Sequence, residues 1–120
     1  MKPATMAPFF AALYAPLCEV ARTKGYALAI HGTLGRDFDL IAAPWTDDAA
    51  PPRDLIDALA VAVDGWVPEF AKATDEPEPV AIPRPKPHGR EGWLIYMKRA
   101  SGYLDVSVMP RLARSPGDPE

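Results

Sequence analysis

Asp37 and Asp39 flank Phe38 in the run His31-Gly32-Thr33-Leu34-Gly35-Arg36-Asp37-Phe38-Asp39-Leu40-Ile41, where a Gly-rich turn leads straight into alternating acidic and apolar residues. Successive side chains of a strand point to opposite faces, so Asp37 and Asp39 share one face while Phe38 and Leu40 enter the core. Carboxylates at that spacing repel, and three resolutions stay open: a bound cation, an Arg or Lys partner, or exposure to water. A third acid, Asp105, sits between Leu104 and Val106 in a second apolar run. An unpaired carboxylate buried there would cost several kcal/mol, so it needs a reason. If the two runs are neighbouring strands, Asp37, Asp39 and Asp105 make a site for one or two magnesium ions, or manganese in their place. Gly32 and Thr33 add backbone N–H groups and a hydroxyl for phosphate oxygens, and Arg36 beside them is a candidate cation for the same phosphate. Phosphoryl or nucleotidyl transfer fits these parts. The plainer alternative pairs Arg36 or Arg90 with the aspartates as ordinary ion pairs.

The elements that must hold these residues can be read from periodicity. From Met6 to Lys24, Phe9, Phe10, Leu13, Tyr14, Leu17, Val20 and Ala21 recur at helical spacing, with Gly25 as a stop. Pro16 lies inside this helix and predicts a kink or a break near Ala12–Pro16. Tyr26 to Ile30 reads as a buried strand and Phe38 to Ala43 as its antiparallel neighbour. Pro51 and Pro52 suit the first turn of a second helix, with Leu55, Ile56, Leu59, Ala62, Val63 and Trp66 on one face. Trp93 to Lys98 and Tyr103 to Met109 form a hairpin signal around Arg99-Ala100-Ser101-Gly102. Residues 74–91 read as a Pro-rich loop along which Arg84, Lys86, His88 and Arg90 alternate. Its end enters the Trp93 strand, so these cations are expected to fold over the acids, with Arg90 and His88 gripping phosphate. A stiff solvated connector is the competing reading.

Composition bounds the rest. At 120 residues and 48% hydrophobic content, the chain suits one domain over 1–110 with a flexible tail over 111–120. The fold expected is α/β (α+β), a mixed sheet of about four strands covered by two main helices. The net charge of −3 argues against bulk DNA binding. One cysteine, Cys18, excludes an internal disulfide, and no His/Cys cluster has zinc spacing. No stretch approaches the eighteen or so apolar residues of a membrane span, so a soluble, cytoplasmic protein is expected.

Gly32-Thr33, then Asp37-Phe38-Asp39-Leu40, then Leu104-Asp105-Val106 resembles the DNA polymerase β-type nucleotidyltransferase superfamily over roughly Tyr26–Pro110. The resemblance implies that Asp37 and Asp39 hold the metals, that Asp105 completes the site and helps activate the acceptor hydroxyl, and that Gly32 and Thr33 contact a nucleoside triphosphate. Leu34, Gly35 and Arg36 alone separate the turn from the first acid, a shorter connection than the family has. The whole chain also resembles small proteins of tailed phages and prophages. Beside transfer of a nucleoside monophosphate to a hydroxyl stand two other readings. One is a catalytically inactive module that keeps the fold and binds a host or phage protein, and the other is a metal-dependent phosphoesterase.

Overall fold

The computed structural model describes residues 7–35, 37–72, 79–100 and 102–111. Helix α1 (Ala7–Thr23) buries Phe10, Leu17 and Ala21, and helix α2 (Pro52–Ala62) buries Leu55, Ile56, Leu59 and Ala60. Pro51 and Pro52 stand at the start of α2, where the first N–H groups have no helical partner to lose. The expected break at Pro16 is corrected: α1 runs unbroken through it. Pro16 and Ala12 are both exposed, so water can take the Ala12 carbonyl that the missing N–H leaves free.

Strands β1 (Tyr26–His31) and β2 (Phe38–Pro44) pair antiparallel, as their short connection predicts. After α2 come β3 (Gly65–Trp66), β4 (Phe70–Lys72), β5 (Pro79–Ala81), β6 (Arg84–Pro85), a short 3-10 turn (Pro87–Gly89), β7 (Glu91–Met97) and β8 (Tyr103–Val108). The main sheet has the order β1-β2-β8-β7-β3, with β6 also on β7, and β4 and β5 form a separate two-stranded ribbon. Only the β2/β8 pair is parallel among these, and the crossover through α2 allows it.

The α+β class agrees with expectation, but six strands in the main sheet replace the four expected. The additions are two-residue strands on the outer side of β7, too short to show a periodicity of their own. Part of the segment read as a Pro-rich loop is regular structure: β5 and β6 are paired within it, and the 3-10 turn follows them. Pro79 and Pro85 sit on strands with one free side, where a missing N–H breaks no ladder. Of the tail expected from residue 111, Arg111 is described, and its guanidinium donates to the carbonyls of Asp47 and Ala49. Residues 112–120 lie outside the described residues.

The core lies on one face of the sheet. Phe38, Leu40 and Ala42 of β2, Trp93, Ile95 and Met97 of β7, and Leu104, Val106 and Val108 of β8 cluster with the buried residues of both helices. Phe10 stacks on Phe38 at 5.1 Å, and full burial of such side chains contributes roughly 1.5–3 kcal/mol each. At the edge strand, the Tyr14 hydroxyl donates to the Leu28 carbonyl at 2.8 Å and occupies an acceptor there. Among the described residues both α-helices pack on that core face, and period-2 alternation sends Asp39 and Asp105 onto the opposite one.

Candidate functional site

Register sets the site. His31 pairs with Asp39, Asp39 with Asp105, and Asp105 with Leu94, so four strands contribute one cross-sheet row. One step along, Ala29, Ile41, Ser107 and Gly92 form a second row. One step the other way, Tyr103 pairs with Tyr96 and Tyr96 with Trp66, with ring centroids 5.6 Å and 5.1 Å apart. The acids therefore lie between an aromatic row and a row in which Ala29, Ser107 and Gly92 are small. Asp37 stands on the bend before β2 rather than within the strand.

Two cations reach Asp105 from the segment around β6. The Lys86 ammonium donates to Asp105 Oδ1 at 3.2 Å and to Ser107 Oγ at 2.8 Å. Arg84 Nη2 lies 3.5 Å from Asp105 Oδ2, and Arg84 Nε is buried without a hydrogen-bond partner. The backbone N–H of Lys86 donates to the Arg90 carbonyl at 2.9 Å, which fixes the root of the side chain. Its stem crosses Gly92: a Cβ there would stand 2.5 Å from Lys86 Cε. A glycine inside a strand marks such close approach, and this one keeps open the path of the lysine. Ser107 is the one buried polar side chain among the described residues, and Lys86 satisfies it.

Asp39 differs from its neighbour. No ion pair reaches it among the described residues, and its pKa is raised, first by burial and then by the charges of Asp105 and Asp37. His31 and Lys86 offset part of that. Tyr103 is pushed up to about 12 by burial, by its hydrogen bond to the Asp37 carboxylate, and by the charges of Asp37 and Asp105. Asp39 thus feels the charges of both other acids. Among the described residues, however, no three His, Cys, Asp or Glu side chains are gathered as a set that could hold a metal ion.

The turn before the acids has Gly32 at φ +84° and Leu34 at φ +61°. A Cβ on Gly32 would meet Asp39 Oδ2 at 2.6 Å, so the turn backbone lies directly against that carboxylate. Gly35 is not in the left-handed region, and a Cβ there would meet only Thr33 Oγ1 at 3.5 Å, so the reversal rests on Gly32 and Leu34. Thr33 is exposed beside the turn. Arg36, expected at the phosphate, lies outside the described residues.

Of the four cations expected over the acids, Arg84 and Lys86 arrive. His88 is exposed in the 3-10 turn, and Arg90 Nε donates to the Pro87 carbonyl at 3.0 Å, within its own turn. Neither makes an ion pair with the aspartates among the described residues. Sequence reasoning did not single out Ser107, Tyr103 or Gly92 as members of the site. Their signals were present: Ser107 and Tyr103 each stand two residues from Asp105 on one strand, and Gly92 directly precedes the apolar run Trp93–Met97.

The chain matches no protein-family model and no curated protein. No helix among the described residues is long and apolar enough to cross a membrane.

Proposed function

We propose that the sheet face opposite the two α-helices binds a nucleoside triphosphate in a nucleotidyltransferase-like manner. The observation that supports this best is the placement of Asp39 and Asp105 at paired positions on adjacent parallel strands, with the Gly32 turn against Asp39. In such a transfer the acceptor oxygen bonds to the α-phosphorus, the bond to pyrophosphate breaks, and the acceptor proton passes to a carboxylate. Asp39 is the acid suited to take it. Burial and like charges raise its affinity for a proton, whereas Lys86 and Arg84 already occupy both oxygens of Asp105. The exposed Thr33 hydroxyl and the turn amides are the phosphate-facing groups on this reading.

Magnesium fits these residues poorly as they stand. Mutual repulsion among three acids would favour a cation, but Asp105 is already neutralised and no three-carboxylate set is gathered.

The test is calorimetric titration of the protein with each of the four common nucleoside triphosphates, then incubation with α-labelled nucleotide and cell lysate. Nucleotide binding by both proteins, with label appearing in an acceptor for the unaltered protein and lost in Asp39→Asn, supports the reading, since the variant keeps the shape of the side chain and cannot take the acceptor proton. Absence of binding by the unaltered protein overturns it. The neutralised Asp105 favours one second reading, a module that retains the fold and binds a protein partner. Binding without label transfer leaves a nucleotide-binding module and removes the transferase.

A further inference from the structure

We infer that Lys86 is a resident cation standing in for a divalent ion at the carboxylate row, so that anionic ligands bind this face without magnesium; this rests on the nucleotide reading. Four independent features of the chain hold the ammonium in place. Asp105 and Ser107 accept from it at 3.2 Å and 2.8 Å. Its backbone N–H is tied to the Arg90 carbonyl, and Gly92 lacks the Cβ that would strike its stem. An ordinary surface lysine has none of these supports, and a surface ion pair is usually loose. Here the side chain is only 23% exposed.

The chemistry of the position follows from the donor count. An ammonium has three N–H donors and no acceptor, and Asp105 and Ser107 take two. The third is left for an incoming oxygen. A divalent ion at an acid pair does two things: it cancels carboxylate repulsion and offers positive charge to phosphate. Lys86 does the first for Asp105, and it lowers the proton affinity of Asp39 through its charge. The remaining donor supplies the second. Arg84, 3.5 Å from the other oxygen of Asp105, adds a fixed charge beside it.

The experiment compares the unaltered protein with Lys86→Met, which keeps an apolar stem over Gly92 and removes the charge. ATP, GTP, CTP and UTP are titrated in turn by calorimetry, once with EDTA and once with magnesium. Equal affinity of the unaltered protein in both buffers, and a loss of ten-fold or more in Lys86→Met, is the expected result. A ten-fold gain from magnesium in the unaltered protein, or full affinity in Lys86→Met, overturns the inference. If no nucleotide binds in either buffer, the nucleotide reading fails, and manganese titration followed by NMR judges Lys86 alone. Absence of paramagnetic broadening at the Asp39 and Asp105 amides of the unaltered protein supports the resident cation, and broadening there overturns it. Gly92→Ala is a second test of the position, since its Cβ meets the movable end of Lys86 rather than backbone and should reproduce the binding loss with the charge retained; full affinity in this variant overturns the inference.

Discussion

Asp39 and Asp105 are paired in register on adjacent parallel strands, yet Lys86 and Arg84 both reach Asp105 while no ion pair reaches Asp39 among the described residues. The same row thus holds one neutralised acid and one strained acid. Burial and the charges of Asp105 and Asp37 push the Asp39 pKa up.

An acid whose pKa is higher in the folded state stabilises the fold fully below the unfolded value, and that stability is lost as pH rises through the folded value. Asp39→Asn mimics the protonated form. Urea unfolding should show the variant more stable than the parent near pH 7, with the gap closing as pH falls toward the ordinary aspartate range of about 4. A gap that stays constant with pH would mean that Asp39 is not strained.

Gly32 and Gly35 should respond unequally to alanine. Gly32 has φ +84°, and a Cβ would press on Asp39 Oδ2, so Gly32→Ala combines backbone strain of about 1–2 kcal/mol with displacement of the carboxylate. Gly35→Ala meets only an ordinary contact with Thr33 and should change stability by less than about 0.5 kcal/mol. Denaturant midpoints of the two variants decide it, and equal losses would remove the special role of Gly32.

The acid pattern was legible because alternation states which face a side chain takes. Phe38-Asp39-Leu40 and Leu104-Asp105-Val106 each declare one acid outward between two core residues, and both declarations agree with the fold. What puts Asp39 beside Asp105 rather than two residues away is register, and register depends on contacts between distant segments. The same limit hid the partner of Asp105. Arg84, Lys86, His88 and Arg90 look alike in sequence, but pairing of Arg84 with Gly92 and Pro85 with Glu91 selects the first two for the acid face. The closing of the 3-10 turn on Arg90 directs that guanidinium back to Pro87. Short strands such as Gly65–Trp66 exist only through β7 and leave no local signal.

Pro16 offers a test of a helix that tolerates a breaker. It stays within α1 at an exposed position, at the expense of one backbone hydrogen bond and a crowded preceding turn. Pro16→Ala should therefore raise stability by about 1–3 kcal/mol, read as a higher urea midpoint with unchanged slope. A lower midpoint would show that the ring makes a contact that outweighs the lost bond.

Tyr103 joins the acid row to the aromatic row, since its hydroxyl donates to Asp37 while its ring lies 5.6 Å from that of Tyr96. Ionising it would place a phenolate beside the charges of Asp37 and Asp105, which with burial pushes its pKa up to about 12 from 10.0. The sign follows from proton binding: below the unfolded value of about 10 both states hold the proton and the stabilisation is complete. Between the two values the unfolded chain loses its proton first, so stability falls as pH rises. Tyr103→Phe keeps the ring and removes the titration along with the hydrogen bond. At pH near 8 the variant should be less stable by about 1 kcal/mol, a hydrogen bond to a charged group discounted for partial exposure. Toward pH 12 the parent should lose this advantage and the two unfolding curves should converge. Urea unfolding at both pH values, with the phenolate absorbance followed in parallel, measures it. A gap unchanged by pH, or a phenolate appearing near pH 10 in the folded protein, would show that Tyr103 does not feel the acids of the site.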